Sequence, residues 1–200
     1  MLRGSPALEQ VHAPQLTGRR VRLRVVLPKD YEWLYLASTA EETGFRWRLR
    51  GETPSIEAFV ESLWHGVLTQ FIIEQVGSGE RLGFVVAFGA NHRNGTVNLG
   101  FFLVPSYVGT GWPIEGLMLF IRYVLSCWDF RKVYFEGPEF NTVTFASAIG
   151  KSLDLEGVLK QHDYYDGRYW DVHILALYRD RFPDELLRQS LSIDEGQTPE

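Results

Sequence analysis

A stretch near the middle of the chain, residues 101–115, combines residue types that can bind an anion. Its apolar start ends at Pro105, and a short turn with Gly109 and Gly111 leads into a segment with helical spacing. A glycine turn at the start of a helix leaves main-chain N–H groups unpaired, and these groups together with the helix dipole attract phosphate. The same residues also suit a plain strand-to-helix connection in which glycine permits tight packing, so both interpretations stay open.

Neither of the two best-known glycine-rich phosphate motifs fits this turn. The lysine of the Walker motif is missing, and the glycine spacing differs from the dinucleotide-binding fingerprint. Pro113 suits the first turn of the following helix, where an N–H group would have no intrahelical partner. Glu115 in the same turn complements the positive end of the helix dipole. Helical intervals then predict one apolar face, formed by Ile114, Leu117, Met118, Ile121, Val124, Leu125 and Trp128.

The composition predicts one domain with an acidic surface. Of 200 residues, 45% are hydrophobic and 14% aromatic, which suffices to bury a core. A formal net charge of −5 argues against a general nucleic-acid binder and is compatible with a cationic partner such as an amine. The single cysteine, Cys127, excludes an internal disulfide and a cysteine-rich metal site, and its place in the apolar helix predicts a buried structural thiol. We expect no metal.

The sequence contains neither an apolar run of the ~18 residues that cross a membrane nor the pattern of a secretory signal. We therefore expect a cytoplasmic protein without a membrane partner. Residues 1–15 are polar and aperiodic and are predicted to be a poorly ordered leader, residues 16–182 to form the domain, and residues 183–200 to form a tail.

Alternating and helical patterns together predict an α+β fold with a mainly antiparallel sheet. The predicted strands are residues 19–26, 70–76, 82–90, 97–103, 132–136, 156–163 and 168–178. Short glycine turns between the second, third and fourth strands indicate an antiparallel meander. Helices are predicted to begin near Lys29, at the Thr53–Pro54–Ser55 cap with continuation to Val67, at Pro113, and at Thr142.

This order of elements resembles the GNAT-type N-acetyltransferase superfamily. More narrowly, it is similar to the branch that includes the ribosomal-protein N-acetyltransferases acting on alanine and serine amino termini. The resemblance covers nearly all of residues 16–182 and implies a single GNAT-like domain with a central strand, glycine turn and helix. The matching motifs are Leu16–Thr17–Gly18 with Leu23–Arg24, residues 104–107 with 109–111 and Glu115, Asn141 with Thr144, Glu156–Gly157, and residues 166–171.

The chain departs from the family pattern at the turn and after the predicted fourth helix. The family usually begins the turn with Gln or Arg and ends it with Gly or Ala, whereas this chain has Val108 and Pro113. Pro113 has no N–H group, and the loss of a charge-assisted hydrogen bond typically costs ~1.5–3 kcal/mol, about one to two decades of affinity. Ser152–Leu153 replaces a Gly-Phe pair that normally lies near the coenzyme arm.

The resemblance implies transfer of an acetyl group by direct attack of a primary amine on the thioester of acetyl-CoA. Because no acyl-enzyme forms in such a reaction, Cys127 has no catalytic part. A main-chain N–H group at the end of the strand would stabilise the oxyanion. The residues implied to bind the coenzyme are Phe102, Val104, Val108, Gly109, Thr110, Gly111, Trp112 and Asn141.

The resemblance and the residue types also suggest catalytic roles for three side chains. Thr144 matches the family's serine, which can hydrogen-bond the departing sulfur, although an ordinary helix hydroxyl is the alternative. Asn141 would act at the reaction centre or would cap the helix. Glu139 is the candidate base, and His92 or a chain of water molecules are alternatives for deprotonating the amine.

The resemblance implies that the acceptor site lies under the connection that contains Arg46, Trp47 and Arg48, and that Tyr164, Tyr165 and Trp170 also contribute to it. Aromatic side chains there would form a wall around the amine, or would only pack against the core. The acceptor is expected to be a small-molecule amine or a peptide N-terminus, and a homodimer is plausible for this branch.

Two other functions stay open. A non-catalytic binding protein on the same scaffold would explain Val108, Pro113 and the altered Ser152–Leu153 pair. A transferase that uses a longer acyl group would explain the altered turn equally well.

Overall fold

Seven strands form one mixed sheet in the computed structural model of the chain, which describes residues 16–146 and 148–183. The strand order is β1-β2-β3-β4-β5-β7-β6, and every neighbouring pair is antiparallel except β4–β5. The strands are β1 (Val21–Val25), β2 (Val67–Gln75), β3 (Arg81–Asn91), β4 (Thr96–Leu103), β5 (Lys132–Pro138), β6 (Leu153–Tyr165) and β7 (Arg168–Tyr178). The helices are α1 (Tyr31–Thr39), α2 (Ile56–Ser62), α3 (Trp112–Cys127) and α4 (Glu139–Thr142).

The predicted α+β fold and the antiparallel meander β2–β3–β4 are confirmed. The predicted leader and nearly all of the predicted tail lie outside the described residues, so the domain boundaries stay predictions. Within the described ranges, no helix combines the length and apolar character that a bilayer span requires. The cytoplasmic location also stays a prediction.

The helices cover the two faces of the sheet unequally. Helix α3 packs Leu117, Ile121 and Val124 against one face, as the apolar periodicity predicted. Phe120 is also buried there although it was not in the predicted set, and the predicted Ile114 is exposed because it lies in the first turn of the helix. It lies so close to β2 that a Cβ atom added at Gly116 would stand 2.6 Å from Cγ2 of Ile73. The opposite face carries a smaller core in which α1 and α2 pack on β2, β3 and β4.

Strands β4 and β5 pair over only part of their length. Their parallel ladder runs from Thr96 opposite Lys132 to Asn98 opposite Tyr134 and then stops. Beyond this point β4 continues to pair with β3, and β5 with β7. The two central strands therefore leave a gap, and the main-chain groups that face it have no ladder partner among the described residues.

Several local predictions were wrong at their boundaries. Helix α2 is capped by Ser55, whose hydroxyl accepts a hydrogen bond from the N–H of Ala58 (3.3 Å), and not by Thr53. The helix ends at Ser62 because the chain turns through Gly66 at a φ of 67°, so Val67 opens β2.

Two further predictions concern α4 and Cys127. Strand β5 runs through Pro138, and α4 begins at Glu139, so Asn141 lies inside this short helix and does not cap it. Cys127 is exposed, not buried, because the core contacts of α3 end with Leu125 and Cys127 is the last residue of the helix.

A buried carboxylate anchors the start of α1. Asp30 is completely buried and accepts hydrogen bonds from Arg24 (2.8 and 2.9 Å), from Arg81 (2.9 Å) and from the N–H of Leu27 (2.9 Å). Burial alone would raise the pKa of Asp30, but these hydrogen bonds and the charge of Arg24 outweigh it and lower the pKa to about 2. The cluster joins β1 and β3 to the start of α1, and thereby fixes where the chain enters α1.

Candidate functional site

The end of β4 presents main-chain donors to the gap. The N–H of Val104 donates to the carbonyl of Leu82 (3.0 Å), and alternate residues of a strand direct their N–H groups to opposite sides. The main chain of Phe102 therefore also faces β3, whereas Phe101 and Leu103 direct their N–H groups toward β5. The β3–β4 ladder therefore uses the N–H groups of Phe102 and Val104, and the contacts of these two residues with a coenzyme stay predictions.

The turn after β4, residues 104–111, is called the glycine turn. Its Val108 and Thr110 N–H groups donate to main-chain carbonyls within the turn (3.1 and 3.2 Å). In the part of the chain that the structure describes, no acceptor lies in reach of the N–H groups of Gly109 and Gly111, which adopt φ values of 88° and 81°. Five residues of this turn were predicted to bind the coenzyme. The N–H groups of Gly109 and Gly111 are available, and those of Val104, Val108 and Thr110 are engaged.

The first turn of α3 adds one more available donor. The N–H of Trp112 makes a long contact with the Thr110 hydroxyl (3.4 Å), and Pro113 has none, whereas the N–H of Ile114 has no acceptor among the described residues. Glu115 accepts a hydrogen bond from the N–H of Arg20 (3.1 Å). Residues 101–121 contain no Lys, Arg or His, so an anion here would contact main-chain donors and the helix dipole, without a basic side chain from this stretch.

A cavity of about 370 Å³, here called the central cavity, opens where β4 and β5 stop pairing. Its floor is formed by Leu99 and Gly100 of β4 and by residues 136–138 of β5. Its roof is the segment between α1 and α2, residues 41–51, which is called the roof segment. The remaining lining residues are His65, Val67, Val86, Phe88 and Asn141.

The floor carries one carboxylate, that of Glu136. This side chain is exposed, and no ion pair or hydrogen bond holds it among the described residues. Glu139, the predicted base, lies in α4 and does not line the cavity, and its carbonyl accepts a hydrogen bond from the Thr142 hydroxyl (3.1 Å). His92, the alternative, stacks on Phe130 (5.4 Å between ring centres) in the turn after β3.

The roof segment brings three guanidinium groups to the cavity, those of Arg46, Arg48 and Arg50. Arg50 forms an ion pair with Asp163 of β6. Arg46 donates to the side-chain oxygen of Asn141 (3.3 Å), and the Asn141 amide donates back to the carbonyl of Arg46 (2.9 Å). The reciprocal pair ties the roof segment to α4.

Arg48 is the least exposed of the three arginines of the roof segment. Its guanidinium donates to the carbonyl of Ser62 at the end of α2 and is half buried. No carboxylate of the described chain lies within ion-pair distance of it, and burial lowers its pKa.

Aromatic contacts hold the rest of the roof segment in place. Trp47 packs against Phe84 and Phe102 (5.4 and 5.3 Å between ring centres), so it is partly a core residue as well as a lining residue. Phe45 stacks on Tyr165 of β6 (4.1 Å). Tyr164, predicted to bind the acceptor, is 65% exposed and does not line the cavity, because it points away from the neighbouring Tyr165 along the strand.

Thr144 lies in the helical turn Val143–Phe145, and its side chain is outside the described part of the structure. Its role therefore stays a prediction. The described hydroxyl nearest to it in sequence, that of Thr142, lies 2.8 Å from Nδ1 of His173.

Sequence reasoning missed Glu136 and His65. The alternation of β5 contained a signal for Glu136, because Val133 and Phe135 are apolar and Tyr134 and Glu136 must share the other face. Nothing local marked His65, which reaches the cavity only because β2 begins two residues later.

No protein-family model matches the chain, and neither does any curated protein sequence. Solved structures do match. A spermidine N-acetyltransferase from Vibrio cholerae, in complex with CoA and spermine, is 17% identical over 81% of this chain and 97% of its own, with a TM-score of 0.66. The ribosomal L7/L12 alpha-N-protein acetyltransferase in complex with coenzyme A is 19% identical over 84% and 98%, with a TM-score of 0.70.

A GNAT family acetyltransferase from Bacillus anthracis is 16% identical over 82% of this chain and 98% of its own, with a TM-score of 0.64. The chain therefore has the fold of the GNAT acetyltransferases over almost the full length of these neighbours, which confirms the fold that the sequence motifs predicted.

Proposed function

We propose that the protein is an acetyl-CoA-dependent N-acyltransferase that acts on a primary amine. The observation that carries the proposal is the gap between β4 and β5, because main-chain donors of β4 lose their ladder partner there, beside a cavity that is lined by the carboxylate of Glu136. Two structures of the same fold are described as complexes with coenzyme A, which supports the same co-substrate here.

The main chain fits the phosphates of a coenzyme. The N–H groups of Gly109, Gly111 and Ile114 would bind phosphate oxygens, while Pro113 removes one donor from the set. When bound, acetyl-CoA supplies the acyl group as a thioester. The N–H groups of Phe101 and Leu103 would donate to the pantetheine arm and to the acyl oxygen on which negative charge develops.

Glu136 is the best-placed base for the amine. An ordinary primary amine is protonated at neutral pH and must lose a proton before it can attack. The carboxylate of Glu136 lines the floor next to the gap, and no described residue competes for it. His65 lines the same cavity and is a second proton acceptor.

The acceptor class is a primary amine, as in the neighbours described as spermidine or ribosomal-protein acetyltransferases. Arg46 and Trp47 would contact it from the roof segment. The role of Thr144 toward the departing sulfur, and a homodimer, are retained as predictions.

The proposal is tested with the purified chain, isotopically labelled acetyl-CoA and a mixture of amines and peptides, with product detection by mass spectrometry. We expect labelled N-acetyl product and a higher melting temperature at millimolar acetyl-CoA, since a ligand that binds only the folded state stabilises it. Absence of both the product and the thermal shift would overturn the proposal. Longer acyl-CoA thioesters in the same assay distinguish an acetyl donor from a bulkier one.

A second candidate function, a non-catalytic binding protein on this scaffold, is favoured by one specific observation. The glycine turn has an apolar Val108, a missing donor at Pro113 and no basic side chain. This function predicts binding of a ligand in the central cavity without turnover, and replacement of Glu136 by Gln would then leave every measured activity unchanged.

A further inference from the structure

We infer that the acceptor is a small amine that also carries a carboxylate or phosphate group, and that Arg48 binds this anionic group inside the central cavity. The inference rests on the proposed N-acyltransferase function. It adds the charge of the substrate, which neither the fold nor the neighbours determine.

The charged side chains of the cavity are mostly positive. Three arginines reach it from the roof segment, whereas Glu136 is the one carboxylate among the described lining residues. Like charges at close range repel, so a polyamine with several ammonium groups would meet three cations and a single anion. An anionic group on the substrate would be attracted by these three arginines, so most of the charge interactions would become favourable.

The three guanidinium groups differ in their exposure and in their partners within the described chain. Arg50 has the carboxylate of Asp163, and Arg46 has Asn141 together with the faces of Phe45 and Phe140 (4.9 and 5.6 Å). Arg48 has only the carbonyl of Ser62. A half-buried cation without a carboxylate partner retains donors for a ligand, and its planar fork matches a carboxylate or phosphate.

Gln70 is a buried polar side chain next to the cavity, although it is not one of the lining residues. Its side chain is 4% exposed, and neither its Nε2 nor its Oε1 has a partner among the described residues. Gln70 pairs directly with Val86, which lines the cavity, so the two side chains share one face of the sheet. A buried amide with no partner is rare, and a polar ligand or a water molecule it retains would satisfy it.

The size and arrangement of the cavity favour a small molecule. Its volume of about 370 Å³ is near the lower end of ligand sites. Glu136 belongs to the floor of the cavity and Arg48 to its roof segment. An amine and an anionic group on one short molecule can therefore contact different walls.

The test compares molecules that differ only in charge. Glycine, β-alanine and γ-aminobutyrate are assayed beside their neutral amides and beside putrescine, with acetyl-CoA saturating. Phosphoethanolamine is compared with ethanolamine to separate phosphate from carboxylate recognition. We expect kcat/KM for the best anionic amine to exceed that of its neutral counterpart about 10- to 100-fold, the range of one charge-assisted hydrogen bond.

Three variants assign this preference to Arg48. Arg48→Gln is expected to remove it by raising KM for the anionic amine, while kcat for the neutral amide is retained. Arg48→Lys keeps the charge without the fork and should retain part of the preference. Arg50→Gln is the matched control, since it removes a guanidinium from the same roof segment that Asp163 already neutralises, and its effect should be smaller. Melting temperatures report any loss of folding.

The outcomes separate the inference from the proposed function. A higher kcat/KM for putrescine or for the neutral amides overturns the inference and leaves N-acyl transfer standing, as does turnover of peptide amino termini alone. If no amine is acetylated, the proposed function fails, and calorimetric titration with γ-aminobutyrate and phosphoethanolamine decides the inference. Binding that Arg48→Gln weakens supports it, and absence of binding overturns it.

Discussion

The glycine turn and the central cavity lie along the same strand, yet they offer charge to a ligand by different means. The turn follows Leu103 and offers N–H groups of Gly109 and Gly111, with no basic side chain in residues 101–121. The cavity, at Leu99 and Gly100, instead receives three guanidinium groups from the roof segment. One half of the site therefore depends on main-chain geometry, and the other half depends on side chains brought from distant segments.

This difference determines in which of the two regions side chains can be replaced with a change in ligand specificity but without loss of the fold. Main-chain donors are fixed by the strand, the turn and the helix, so substitution of side chains there changes affinity only modestly. The roof segment contributes side chains through a few specific contacts, and a change of one arginine alters the charge of the cavity directly. Substrate choice is thus expected to reside in the roof segment and coenzyme binding in the fold.

The largest effect is expected from Glu136→Gln. The substitution keeps the volume but removes the carboxylate that would accept the proton of the amine, and kcat/KM should fall about 100- to 10,000-fold. Steady-state assay of acetyl transfer measures it. Glu139→Gln is the matched control, because Glu139 does not line the cavity. If kcat/KM falls further in Glu139→Gln than in Glu136→Gln, the base is Glu139, as the sequence predicted, and not Glu136.

A smaller effect is expected from acid, and it concerns the cluster around Asp30 at the start of α1. The pKa of Asp30 is lowered to about 2 in the folded protein, below the ~3.9 of an unfolded chain. Asp30 therefore stabilises the fold above about pH 4, and this contribution, of the order of 2 kcal/mol, is lost as the pH falls toward its folded-state pKa.

Urea unfolding across this acid range measures the loss. Wild-type protein should lose more free energy of unfolding than Asp30→Asn, which is itself less stable because Arg24 and Arg81 lose their buried partner. Equal acid dependence of the two proteins would show that Asp30 titrates normally. The glycine turn contains no comparable carboxylate, so its ligand binding should not share this loss.

A substitution in the glycine turn is expected to strengthen the binding of acetyl-CoA by about 1 kcal/mol. Val108 is 55% exposed, and Val108→Arg would place a cation beside the free N–H groups. Because an exposed charge is screened by water, we expect about fivefold tighter binding of acetyl-CoA, and the gain should shrink at high salt. Calorimetry measures the Kd. Val25→Arg on the edge strand β1, at a similar exposure of 56%, is the control. Equal Kd changes in both variants would contradict a phosphate site at the turn.

The same contrast explains how much could be predicted from the sequence. The glycine turn was identified because its residues are consecutive, and their φ values and free N–H groups follow from local chemistry. The register of β4 against β3 is a long-range property, so which residue offers its N–H, Phe102 or Leu103, could not be derived. Glu136 and His65 are distant in the sequence and were missed because only the folded sheet brings them to one cavity.

The smallest effect concerns Asn141, which the sequence assigned to the coenzyme and the structure ties to the roof segment. Its amide exchanges two hydrogen bonds with Arg46 (3.3 and 2.9 Å), so loss of either residue should weaken the same contact. A double-mutant cycle of Asn141→Ala and Arg46→Met should give a coupling of about 0.5 kcal/mol in unfolding free energy, as expected for an exposed interacting pair. If Asn141 supports amine binding in the central cavity, we expect Asn141→Ala to raise KM for the amine roughly twofold and to leave the Kd of acetyl-CoA unchanged. The opposite pattern, weaker coenzyme binding with an unchanged KM for the amine, would show that Asn141 contributes to the coenzyme site, as the sequence predicted.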